Sequence, residues 1–315
     1  MSNQKIREQV SKIRRFINIP HKHYELRQNK AMFSQLCSSL DVIEDTEDAI
    51  TAYTENDFGE IKPLNYLLMY GLLQSIYVQQ DAVINLCESL GTSDKINNYP
   101  NLKEIRDVRN DTVGHPTKRD HKKGNRVSYH HVTQLTLNKS GFTLTSYYSD
   151  GSPEQFRKID IPELIAEQNK YISEILSNLI RNLEAEEKAH KEKFSMEKLL
   201  KLFPGTLDYH LSKLLEAVYR EEYAKIAESD LDVISTVAKH FRDAIARRNM
   251  DFYERLQDEY ELIDHATTKI RMFLRENKGE KSAIRIYIIF LKYQFNELKI
   301  YAKEIDDEYI KEPDK

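Results

Sequence analysis

The chain has 315 residues, 40% of them hydrophobic and 31% charged, with a formal net charge of −4, which is long enough for two domains and does not draw in nucleic acid as a whole, so a polyanion must find a local basic patch. No stretch approaches the ~18 apolar residues of a membrane span, and the two cysteines, Cys37 and Cys87, lie in apolar helical patterns as reduced thiols, so a cytoplasmic protein without membrane contact is expected. Only nine Gly and eight Pro in such a chain favour long helices over sheet.

Ile6, Val10, Ile13 and Ile17 recur at helical spacing and predict a short amphipathic helix that Pro20 ends. His21 and His23 follow, read as part of a polar loop. A second helix runs from about Gln28 into the fifties, with Leu36, Leu40, Ile43 and Ile50 apolar; its acidic run, Glu44, Asp45, Glu47 and Asp48, reads as a solvated face. KPLNYLLMYGLLQSIYVQQDAVINLCESLG is apolar nearly all round, with Pro63 near its start and Gly91 as its stop, and predicts a central helix.

NLKEIRDVRNDTVGHP is a fourth helix whose C-terminal end carries a concentrated set of functional groups. Beyond it lies a basic turn containing Lys118, Arg119, Lys122, Lys123 and Arg126, and then a period-two pattern with a turn signal at Asn138-Lys139-Ser140-Gly141, which predicts a β-hairpin over about 126–150. A long helix resumes at Pro162 and runs to about Phe194; the rest is a series of helical patterns without a strand signal. The expected domains are an N-terminal helix over 1–27, a helical domain with an inserted hairpin over 28–193, and a C-terminal helical bundle over 194–315. The fold class is all-α.

The stretch RNDTVGHP places a permanent cation, Arg109, near an imidazole, His115, with Asn110 and Asp111 between them. Six residues at about 100° each would set Arg109 and His115 roughly 240° apart on a continuing helix. Gly114 readily leaves helical geometry and Pro116 pushes His115 towards extended backbone, so the ring can swing back. Such a pair suits phosphodiester chemistry on RNA, where the 2′-hydroxyl is the nucleophile and the protein supplies a base, an acid and positive charge, with no metal or cofactor required. Two copies about a two-fold axis would supply both proton-transfer groups, making a homodimer the working unit.

At these residues the sequence resembles the HEPN domains, helical bundles that carry an Arg-polar-x-His signature at a helix C-terminal end. The resemblance spans residues 28–193 and implies a metal-independent endoribonuclease in a toxin or phage-defence setting, held in check by a regulatory or antitoxin protein. By it, His115 would transfer the proton, Arg109 would hold the phosphate and Asn110 would orient one of them. Gln80 or Asp81, which interrupt the central helix, would face Arg109 and fix it. Lys118, Arg119, Lys122, Lys123 and Arg126 would attract the RNA backbone. The hairpin tyrosines Tyr129, Tyr147 and Tyr148 could stack bases or simply pack.

Other readings stay open. A cation and a histidine near a last turn also satisfy orphan carbonyls and the helix dipole, and the fold could serve as a non-catalytic module for RNA, nucleotide or protein. His121, His130 and His131 invite a zinc site, but neighbouring strand residues point to opposite faces and no Cys lies nearby. Phosphate-binding loops, dinucleotide fingerprints and zinc-protease or serine-hydrolase motifs are missing from the sequence.

Overall fold

The computed structural model describes residues 2–56, 62–92, 95–121, 126–251, 254–276 and 279–310. It forms two compact units, residues 1–18 with 26–184 and residues 19–25 with 185–315. The molecule is mostly helical, and no helix among the described residues is long and apolar enough to cross a membrane.

In the first unit, α1 (Ser2–Ile17) buries the predicted stripe Ile6, Val10, Ile13 and Ile17. Pro20 does not merely stop it. Proline opens α2 (Pro20–Arg27), most of which belongs to the second unit, and its missing N–H is no loss there, so His21 and His23 stand on a helix and not in the expected loop. α3 (Lys30–Glu55) starts at Asn29, whose side chain accepts a bond from the Met32 amide at 3.2 Å. α4 (Lys62–Ser89) packs along α3 and ends as predicted: Gly91 takes φ 75°, the Thr92 amide reaches the Cys87 carbonyl at 2.9 Å and the Gly91 amide reaches Glu88 at 3.0 Å. α5 (Pro100–Arg109) and α6 (Ile161–Ser195) complete the helices of this region; the boundary between the units falls inside α6.

One acidic residue departs from the expected solvated face. Asp45 and Asp48 are exposed, but Glu47 is fully buried. Its Oε1 accepts from Gln79 Nε2 at 2.5 Å; Gln79 Oε1 accepts from Gln168 Nε2 at 2.9 Å; Gln168 Oε1 accepts from Gln80 Nε2 at 2.8 Å; and Gln80 Oε1 accepts from Arg106 Nε at 2.8 Å. The three glutamines are each fully buried, and the series satisfies groups that an apolar core would otherwise leave costly. It runs from α3 to α4, across to α6, back to α4 and on to α5.

The predicted hairpin is half of a larger element. β1 (Arg119–His121), β2 (Arg126–Val132), β3 (Gly141–Tyr148) and β4 (Gln155–Asp160) form one antiparallel sheet in the order β1-β2-β3-β4. Gly141 adopts φ 155°, and a Cβ there would fall 2.0 Å from the Ile159 carbonyl oxygen, so β3 can begin only with glycine. Phe142, Leu144 and Ile159 enter the core that the helices share. The second unit holds α7 (Leu207–Ala217), α8 (Ala224–Arg247), α9 (Glu254–Glu276) and α10 (Lys281–Ile310), packed around Leu211, Ile234, Phe241, Ile270, Leu291 and Phe295.

Candidate functional site

α5 keeps regular geometry as far as Arg109 and then widens into a π turn over Asn110–Gly114, closed by the His115 amide on the Asn110 carbonyl at 2.7 Å. Such single wide turns recur at functional sites. The chain leaves the turn at His115 (φ −138°, ψ 48°), the residue that Pro116 excludes from helix. Gly114 stays within the turn, contrary to expectation. Its role is steric: a Cβ would lie 2.7 Å from Nη1 of Arg109 and 3.3 Å from Oδ1 of Asn110, so the guanidinium folds back into space that only glycine leaves open.

Arg109 is held by neutral oxygens. Gln74 Oε1 accepts from its Nε at 3.0 Å and from Nη2 at 2.6 Å, and Asn110 Oδ1 accepts from Nη1 at 3.0 Å. The guanidinium carbon stands 4.3 Å from the centroid of the Tyr77 ring, and that of Arg106 stands 4.4 Å from the same centroid. His115 is exposed, and among the described residues its ring has no hydrogen-bond partner.

Gln80 and Asp81 do not face Arg109. Both bind Arg106, one turn earlier: Gln80 through Nε, and Asp81 through an ion pair with Nη2. The rotation of α4 against α5 sets this. Gln74, Tyr77 and Asp81 fall on one face at i, i+3 and i+7, and Arg106 and Arg109 on the facing side of α5 meet successive turns of it. That spacing is visible in the sequence and could have singled out Gln74 and Tyr77.

Asp111 turns the other way, towards the sheet. It pairs with Arg119 Nη1 and lies 3.2 Å from His130 Nε2, while Arg119 Nη2 meets Asp107 at 2.6 Å. Burial works against the Arg119 charge, and the two carboxylates outweigh it, holding the group above its ordinary value. His130 is buried between Ser128 (2.7 Å) and Ser146 (2.8 Å), so it is a structural post that clamps the sheet to the π turn.

Of the basic residues after the motif, Lys118 is exposed and has no acidic partner among the described residues. Arg119 is engaged by two carboxylates, and Arg126 is paired with Asp150 at 3.2 Å and lies 3.8 Å from the Tyr148 centroid. Lys122 and Lys123 lie outside the described residues. The structure thus brings Arg109, Asn110, Gln74 and Tyr77 together at the wide turn, with His115 at its exit.

No family model, curated protein or solved structure matches this chain.

Proposed function

We propose that the first unit is a HEPN-like endoribonuclease module that cleaves RNA through its own 2′-hydroxyl, without a metal, in a toxin or phage-defence role. The observation that carries this reading is the contrast among four arginines. Arg106, Arg119 and Arg126 are each neutralised by a carboxylate, whereas among the described residues Arg109 is oriented only by amide oxygens and the Tyr77 ring, which fix its geometry and leave its positive charge for an anion. An exposed imidazole without a hydrogen-bond partner among the described residues stands at the end of the same turn.

In the proposed reaction the 2′-oxygen attacks phosphorus as its proton passes to one imidazole, and the P–O5′ bond breaks as a second imidazole protonates the departing 5′-oxygen. The products are a 2′,3′-cyclic phosphate and a 5′-hydroxyl. Arg109 holds the two non-bridging oxygens as charge grows on them. The two imidazoles are His115 of two copies in a homodimer, since one His115 cannot be base and acid in the same step.

The test is cleavage of mixed-sequence single-stranded RNA in EDTA by wild type, His115→Ala and Arg109→Ala, each checked for folding. Cleavage that both substitutions abolish supports the reading. RNA binding without cleavage would replace it with a non-catalytic binding module.

A further inference from the structure

The register of the sheet gathers aromatic rings on the face turned away from the helices. Side chains alternate along each strand, so Ser128, His130, Leu144, Ser146 and Ile159 point inward. The opposite set points outward. Tyr129 stands directly across from Tyr147; His131 stands across from Thr145, which stands across from Phe156. These rings are open to solvent: Tyr129 is 41%, Tyr147 37% and Phe156 69% exposed. The His131 and Tyr147 rings stack on each other, nearly parallel (18°) with centroids 5.6 Å apart.

Charges of both signs surround these rings, and two of the lysines are unpaired among the described residues. Lys158 follows Phe156 on the same face, and Lys118 lies on the approach to β1; both are exposed and neither has an acidic partner among the described residues. Of the nearby carboxylates, Asp150 pairs with Arg126, and Asp160 accepts the Glu163 amide at 3.0 Å at the start of α6. Asp120 on β1 and Glu154 just before β4 are exposed carboxylates that stand against them. The face is also continuous with the candidate site, because the Pro116 carbonyl accepts the His130 amide at 2.6 Å and the chain leaving His115 therefore runs along the edge of β2.

We propose that this outer face is a platform on which unpaired bases of single-stranded RNA stack, with Lys118 and Lys158 beside the backbone, so that the strand is led across the sheet edge to His115. Base stacking is tolerant of sequence, because every base offers a π-face, and it demands bases that are not already paired. The substrate class is therefore single-stranded RNA and not duplex. The proposal rests on the ribonuclease reading for its purpose, but its test does not.

Binding of a short labelled oligoribonucleotide without secondary structure, and of the same strand annealed to its complement, is measured by fluorescence anisotropy in a His115→Ala background that does not consume the probe. Phe156→Leu keeps the apolar bulk and removes the ring, and is expected to weaken single-strand binding roughly five- to a hundredfold. Phe156→Tyr is expected to keep it, and binding of the duplex is expected to be weaker and unchanged by either substitution. Equal single-strand affinity of Phe156→Leu and its parent would overturn the platform, as would absence of single-strand binding. A change in sedimentation with unchanged RNA affinity would overturn it in favour of a protein-contact surface. Cleavage that depends on His115 while Phe156→Leu binds normally would leave the ribonuclease reading intact and remove only the platform.

Discussion

Gln74 meets Arg109 with a single oxygen that accepts two bonds, from Nε at 3.0 Å and Nη2 at 2.6 Å. A carboxylate in the same place would hold the guanidinium equally well and cancel its charge. Gln74→Glu is therefore expected to leave the thermal unfolding temperature unchanged or raised while weakening RNA cleavage about 10–100-fold, the range that one charge-assisted hydrogen bond to the phosphate supplies. The salt dependence of RNA binding should also flatten by about one phosphate interaction. Cleavage at the wild-type rate in a folded Gln74→Glu protein would show that the charge of Arg109 is not used.

Gly114→Ala separates stability from activity in a similar way. Gly114 does not need a positive φ, so alanine gains roughly 0.4–1 kcal/mol by restricting the unfolded chain. Its Cβ would stand 2.7 Å from Arg109 Nη1, the far end of a flexible side chain that can move aside. Melting temperature should hold or rise slightly while cleavage falls by about 10²-fold, the effect of a displacement near 1 Å at a positioned group. A parallel loss of stability and activity would point to damage to the π turn itself.

Glu47 gives the first unit a pH signature. Burial raises its pKa above the ordinary value of 4.5, against the opposing effects of Gln79 and Arg7. The folded protein thus holds a proton that the unfolded chain releases, so this contribution to stability is complete below about 4.5 and is lost as pH rises through the folded value. Glu47→Gln keeps an acceptor for Gln79 and cannot ionise. Denaturant unfolding across pH should show the substituted protein gaining on wild type as pH rises, with the two converging in acid.

His190 carries the opposite sign in the second unit. Its ring stacks on His21 at 3.7 Å and faces Phe194, and Nε2 bonds the Tyr309 hydroxyl at 2.8 Å. Burial first, and then the neighbouring His21, Lys193 and Arg248, push its pKa from 6.5 down to about 4, with Glu187 opposing. The unfolded chain binds the proton first, so this contribution is present above 6.5 and is lost as pH falls through about 4. His190→Phe retains a ring in the stack without a titrating group. The stability difference between wild type and His190→Phe, measured by denaturant at pH values on either side of this window, should shift in favour of phenylalanine in acid; a constant difference would remove His190 from the acid response.

Much of the helical frame could be read from the sequence, because the stripes of α1, α3 and α6 and the Gly91 stop are local patterns set by helical period. What escaped depended on partners distant in sequence. Glu47 looks like a member of a solvated acidic run, and only the glutamines of α4 and α6 make its burial tolerable. β4 is exposed at five of its six positions and β1 has three residues, so neither offers alternation for a pattern to catch. The grouping of Arg109, Asn110 and His115 is visible in the sequence, but Gln80 and Asp81 draw the eye as its support because they interrupt the apolar run most visibly. Gln74 is as polar, and its role emerges only from the facing of α4 and α5.

The run from Arg106 to Glu47 has a sense of direction. Arginine can only donate and a carboxylate oxygen accepts, so each of the three intervening amides must present its oxygen towards Arg106 and its nitrogen towards Glu47. Their dipoles therefore stand head to tail in series, and reversing one would set donor against donor or acceptor against acceptor at both its ends. Sliding α3 or α5 by a residue would break one link, sliding α6 two, and sliding α4 all four, each time stranding buried polar groups. The apolar stripes alone would tolerate several near-equivalent slips; this series of amides selects one, and so keeps the turn of α5 that bears Arg109 in fixed register with the turn of α4 that bears Gln74.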